Sequence, residues 1–150
     1  MGVIELSNII AVVWDFDKTL IGNYMQDPIF KKYEVDGNTF WKEVNALPEK
    51  YWIEQGVRVN RDTIYLNHFI NYVKNGKFPG LNNKMLTELG AELRFYNGLP
   101  ALMEVTKNMI AEDSKYTEYD IRVEHYIVST GFTAMIKGSA VAPFVSGIWG

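Results

Sequence analysis

Two acids stand two positions apart in Asp15-Phe16-Asp17-Lys18-Thr19, directly after the apolar run Ile9-Ile10-Ala11-Val12-Val13-Trp14. A turn at such a pair lets one carboxylate attack phosphorus and form an aspartyl phosphate. The other can then protonate the leaving oxygen and deprotonate water. The charge that develops on the transferring group needs a cation, and oxygen ligands of this kind select Mg2+. Standing alone, two acids at this spacing would be a solvated turn. The strand before them and Thr19-Leu20 after them favour chemistry.

A strand must present these acids. The run from Ile9 to Trp14 is apolar throughout and rich in β-branched residues, the pattern of a strand buried on both faces as in parallel sheets. Ligands gather beyond the carboxyl ends of such strands, where Asp15 stands. A second run, Arg122 to Val128, ends at Ser129-Thr130-Gly131 and leads into a short helix from about Thr133 to Gly138; a third strand is expected over 144–149. In between, the periodicity is helical. Phe40, Val44, Leu47 and Tyr51 recur at spacings of four, three and four and line one helix face, which Pro48 should kink or restart. Asn60 is the expected N-cap of a second helix with Tyr65, Phe69, Tyr72 and Val73 on one side and Gly76 as its stop. Further helices are expected over 83–93 and from Pro100 through Leu102, Val105 and Ile110, and a polar surface loop over 111–119.

The segment Val13-Trp14-Asp15-Phe16-Asp17-Lys18-Thr19-Leu20 resembles the first motif of the haloacid dehalogenase-like (HAD) superfamily, an apolar strand followed by Asp-x-Asp-x-Thr-Leu. The resemblance implies that Asp15 is nucleophile and metal ligand and that Asp17 is general acid/base and lends its backbone carbonyl to the metal. Thr19 would fix the turn beside the substrate phosphate. Tyr126-Ile127-Val128-Ser129-Thr130-Gly131 looks like the second motif of that family, in which Ser129 hydrogen-bonds the transferring phosphoryl group and the Thr130–Gly131 segment adds donors at a helix start. Dehalogenases of the superfamily lack the second Asp, because displacing a halide needs no proton on the leaving group. Asp17 therefore argues for phosphate chemistry, and because hydrolysis is commoner than transfer to a second substrate, a phosphatase is expected over a mutase.

The fold this resemblance implies is α/β. A Rossmann-like parallel-sheet core would comprise 1–21 and 94–150, with its C-terminal part missing, and a mainly helical cap would be inserted at 22–93. Asp15 and Ser129 are 114 positions apart (129 − 15), far more than one crossover helix needs. Such a cap would close over the site, exclude water and choose the substrate. Its many rings are expected to form its own core, with one or two facing substrate. His68 and His125, with no second ligand at metal spacing, are expected to pack or lie at the surface. Lys18 suits either substrate or solvent.

Composition narrows the partners. The 150 residues are 47% hydrophobic, enough for one sizeable core, and 15 Lys+Arg against 18 Asp+Glu leave a formal charge of -3. No broad basic field exists for nucleic acid, so the expected partner is a small phosphorylated substrate. Cysteine is absent, which excludes disulfides and thiolate metal sites. The run ending at Trp14 is far too short to span a bilayer. A cytoplasmic protein without membrane contact is expected, able to oligomerise through an exposed sheet edge.

The family also uses a Lys beside the phosphorylated Asp and an acidic pair that completes the metal site. Lys137 lies eight positions after Ser129 (137 − 129), on a helix that should carry it away, and no Asp or Glu follows Glu124. The chain is therefore expected to be the N-terminal portion of a longer enzyme, poorly active alone. Beside the phosphatase stand two alternatives, a non-catalytic HAD-like binding or assembly domain and a phosphotransferase.

Overall fold

A computed structural model describes residues 8–150, and the first seven positions of the expected core segment lie outside the described residues. Three strands, β1 (Ile9–Trp14), β2 (Arg122–Val128) and β3 (Gly147–Trp149), form one parallel sheet in the order β1-β2-β3. Helices α1 (Asp27–Lys32), α2 (Gly37–Gln55), α3 (Ile64–Lys74) and α4 (Asn83–Gly90) follow β1. Helices α5 (Ala101–Ala111) and α6 (Ser114–Thr117) precede β2, and α7 (Thr133–Gly138) with a 3-10 turn at Ala142–Phe144 leads to β3. The architecture is mixed α/β, as expected. Among the described residues no helix is long and apolar enough to cross a membrane.

The bounds of β1 and β2 are those the apolar runs predict, but their burial is not. Ile10 and Val13 remain 47% and 61% exposed, so β1 is not buried on both faces. It is an edge strand, and alternation along the pleat puts Val13 on the same face as Tyr126 and Val128. Trp149 packs on the Tyr126 ring there, and this apolar patch stays open. On the opposite face Trp14 Nε1 donates to Nδ1 of His125 at 3.0 Å, and α5 covers β2 through Met103.

The helical segment keeps its expected order with shifted boundaries. Asp36 caps α2 by accepting the amides of Asn38 and Thr39 at 3.1 and 3.2 Å. The helix runs on through Pro48, contrary to expectation. The missing amide forfeits one bond, while Phe40, Val44 and Leu47 before it and Tyr51 after it pack against the core. Asn60 caps the turn ahead of α3 rather than α3 itself, accepting the amides of Asp62 and Thr63 at 2.8 and 3.2 Å. Val73 faces outward, since the buried side of α3 carries Ile64, Tyr65 and Phe69.

Three other expectations need correction. The helix expected over 83–93 stops at Gly90. The expected loop at 111–119 contains α6, started by Asp113 accepting the Lys115 amide at 2.9 Å. The third strand shortens to Gly147–Trp149, because Pro143 sits in the 3-10 turn before it.

One buried cluster runs from Phe16, Leu20 and Ile127 near the sheet to Phe40, Phe69 and Phe78 among the helices. Helix α4 crosses α7 at backbone contact. A Cβ on Gly138 would lie 1.8 Å from the Thr87 carbonyl oxygen, so only glycine permits the crossing.

Candidate active site

Parallel pairing brings two strand ends to one place. Trp14 is level with Ile127, so Asp15 emerges beside the Val128–Ser129 segment. Immediately after the strand, Phe16 is driven fully into the core and the chain turns, with the Phe16 carbonyl accepting the Leu20 amide at 2.9 Å. Lys18 holds a φ of +61° in this turn. The chain leaves the site at Ile21 and returns at Phe95, and the two form an antiparallel bridge.

The two acids meet different surroundings. Asp15 accepts the Thr19 hydroxyl through Oδ2 at 2.8 Å. Asp17 accepts the Met25 amide at 2.9 Å, yet its burial pushes its pKa up to about 6, with the charges of Asp15 and Asp27 adding to the rise. Lys18 relieves neither acid by direct contact. Its ammonium donates to the Tyr24 hydroxyl at 2.8 Å and lies 4.1 Å from the Tyr24 ring centre.

The loop after β2 is folded on itself. Ser129 donates its amide to the Trp149 carbonyl at 2.8 Å, and its Oγ accepts the Gly131 amide at 3.0 Å. A Cβ at Gly131 would stand 2.1 Å from Met25 Cε, so a larger residue there must push that thioether aside. Met25 in turn accepts the Phe132 amide through sulfur at 3.0 Å. From α3, Tyr65 donates its hydroxyl to the Thr130 carbonyl at 2.6 Å.

Asp15, Asp17, Ser129 and Thr130 line one cavity of about 290 Å3. Thr19 and Gly131 are not on its wall: Thr19 braces Asp15 and Gly131 supports Ser129 from behind. Lys137 is exposed at the end of α7, as the helix geometry predicts, and neither histidine reaches the cavity. His68 pairs with Glu43 at 2.7 Å and His125 lies under the sheet. A larger opening of about 890 Å3 between the two connections, lined by Asp27, Lys31 and Arg94, contains none of the expected site residues.

Sequence reasoning missed Gln26, Asn45, Arg61 and Asp62, which complete the cavity from the helical side. Polar residues on one helical insertion carry no motif, and only the fold aims them. Trp41 and Tyr65 belong to the ring-rich stretch, and these two do line the cavity. Two buried atoms on its walls, Gln26 Oε1 and Trp41 Nε1, have no hydrogen-bond partner among the described residues.

Among the described residues no three His, Cys, Asp or Glu side chains gather into a ready metal cage. Asp15 and Asp17 nevertheless offer hard carboxylate oxygens at one cavity. The Asp15 carboxylate fits Mg2+, which keeps several waters and uses one or two carboxylates plus a substrate phosphate, and this leaves the Asp17 carboxyl free to carry a proton.

No family model matches the chain. An uncharacterized protein of Borreliella burgdorferi is 41% identical over 145 residues, which make up 97% of this chain. The chain spans 50% of that relative's length.

Proposed function

We propose that the chain carries the acid pair and phosphate-holding loop of a HAD-like, Mg2+-dependent phosphohydrolase acting on a small phosphate monoester. What supports the reading is the convergence of Asp15, Asp17 and Ser129, from two adjacent parallel strand ends, on one cavity. In this reading the sheet belongs to a Rossmann-like core of 1–21 and 94–150, and 22–93 is the cap.

The chemistry runs through the two acids. The Asp15 oxygen left free by Thr19 attacks phosphorus, and the bond to the leaving oxygen breaks as that oxygen takes a proton from Asp17. Asp17 then removes a proton from water, whose oxygen attacks the phosphorus of the aspartyl phosphate. Inorganic phosphate leaves and the Asp15 carboxylate is restored. An acid with a pKa of about 6 can give and take this proton near neutral pH. Ser129 donates to a phosphoryl oxygen. The Asp15 carboxylate and the Asp17 backbone carbonyl would hold Mg2+, which would supply the positive charge that the transferring group requires. The cavity volume of about 290 Å3 suits a small leaving group.

The test compares the intact protein with its Asp15→Asn variant, using an aryl phosphate and beryllofluoride, each with Mg2+. The wild type should hydrolyse the ester and bind beryllofluoride, and the variant should do neither. Undiminished phosphatase activity in Asp15→Asn, or no beryllofluoride binding by the wild type, overturns the reading.

A further inference from the structure

Tyr65 and Ser129 engage the two ends of a single peptide unit. Tyr65 Oη donates to the Thr130 carbonyl oxygen at 2.6 Å, and the Gly131 amide, the other half of that unit, donates to Ser129 Oγ at 3.0 Å. A trans peptide is planar, with its C=O and N–H pointing in opposite directions. Pinning the carbonyl therefore sets where the amide points. A serine hydroxyl that accepts from a fixed amide keeps its own proton for another partner. Ser129 lines the cavity with Asp15 and Asp17, so that proton has the cavity in reach.

We infer that Tyr65 is a positioning residue for Ser129: seating α3 on the Thr130 carbonyl aims the Ser129 hydroxyl into the cavity. Of the two hydrogen bonds that join the helical segment to the loop after β2, this one bears on the peptide that Ser129 engages, whereas the other, from the Phe132 amide to Met25, lies beyond it. Tyr65 is suited to the task because it stays a donor. Burial pushes its hydroxyl pKa far up, the negative charge of Asp17 adds to the rise, and the Gln26 side chain opposes it only in part. The ring is held by Trp41 and Phe132, with centroids at 5.5 and 6.3 Å. A Phe at this position keeps that packing, and Thr130 is exposed enough for water to satisfy its carbonyl. Removal of the hydroxyl thus separates aiming from folding.

What Ser129 donates to rests on the phosphohydrolase reading, whereas the link from Tyr65 to Gly131 does not. The experiment uses the wild type, Tyr65→Phe, Ser129→Ala and the double variant. It measures the Gly131 amide resonance by NMR without ligand and the affinity for beryllofluoride with Mg2+ by calorimetry. Tyr65→Phe should shift the Gly131 resonance and weaken beryllofluoride about tenfold, the worth of one hydrogen bond to a charged group. Ser129→Ala should weaken it at least as much, and the double variant no more than Ser129→Ala alone. Melting temperatures should stay together. An unmoved Gly131 resonance, or losses that add in the double variant, overturns the inference. If the wild type binds no beryllofluoride, the phosphohydrolase reading falls, and the Gly131 resonance alone decides the Tyr65 link.

Discussion

Thr19 holds Asp15 by one oxygen at 2.8 Å and so fixes which carboxylate oxygen faces the cavity. Replacing Thr19 by Val keeps the β-branched shape and deletes the donor. The bond is exposed, so stability should fall by less than about 1 kcal/mol. Beryllofluoride affinity and phosphatase kcat should each fall by about tenfold through loss of aim. Parallel melting and binding measurements separate the two effects.

Asp17 opposes folding when it is ionised. Its pKa stands at about 6 in the folded chain against 3.8 for the free side chain. The stability tied to its neutral form is complete below pH 4 and is lost as pH rises through about 6. Allowing for solvent screening, the loss is of order 2 kcal/mol. Asp17→Asn keeps an acceptor for the Met25 amide and cannot ionise. In EDTA it should melt higher than the wild type at pH 8 and alike at pH 4, while in a separate assay with Mg2+ its phosphatase activity disappears.

His125 titrates with the opposite consequence. Burial holds its pKa below the usual value of 6.5, the Met103 carbonyl pulls it back up and the Lys107 charge lowers it further. Its Nδ1 accepts the Trp14 indole, so Nε2 carries the proton and faces the Met103 carbonyl at 3.1 Å. A depressed histidine gives stability that is present above 6.5 and lost as pH falls below it. With Asp17→Asn as background, denaturation midpoints should drop steadily below pH 6.5. Adding His125→Gln should flatten that drop.

Gly131 and Met25 share one space. Gly131→Ala should cost about 1–3 kcal/mol by forcing the Met25 thioether aside. Met25→Ala should cost about 2–5 kcal/mol by opening a cavity. Their sum should exceed the loss in the double variant, because the truncated Met25 leaves room for the new methyl group. Urea unfolding of the four proteins gives the coupling energy.

The strands around the acids were legible because runs such as Ile9–Trp14 and Arg122–Val128 carry their own pattern and end at residues with chemistry. Asp15, Asp17 and Ser129 could be read for the same reason. Burial could not be read from β1, since an apolar strand at a sheet edge has the same composition as one at its centre. Pro48 misled because local propensity weighs one lost bond, whereas the packing of Leu47 before it and Tyr51 past it is tertiary. Gln26, Arg61 and Tyr65 became site residues only when α1, the turn before α3 and α3 itself came to stand over the strand ends.

The backbone crossing of α4 and α7 at Gly138 has a mechanical consequence. Helix α4 is moored to the layer that carries Ser129 by backbone contact, whereas α3 reaches that layer through side chains, Tyr65 on the Thr130 carbonyl and Phe69 on the Phe132 ring. To part α3 from the cavity a movement would have to break only the Tyr65 bond and the Phe69–Phe132 stack, whereas parting α4 would have to pull two backbones out of contact.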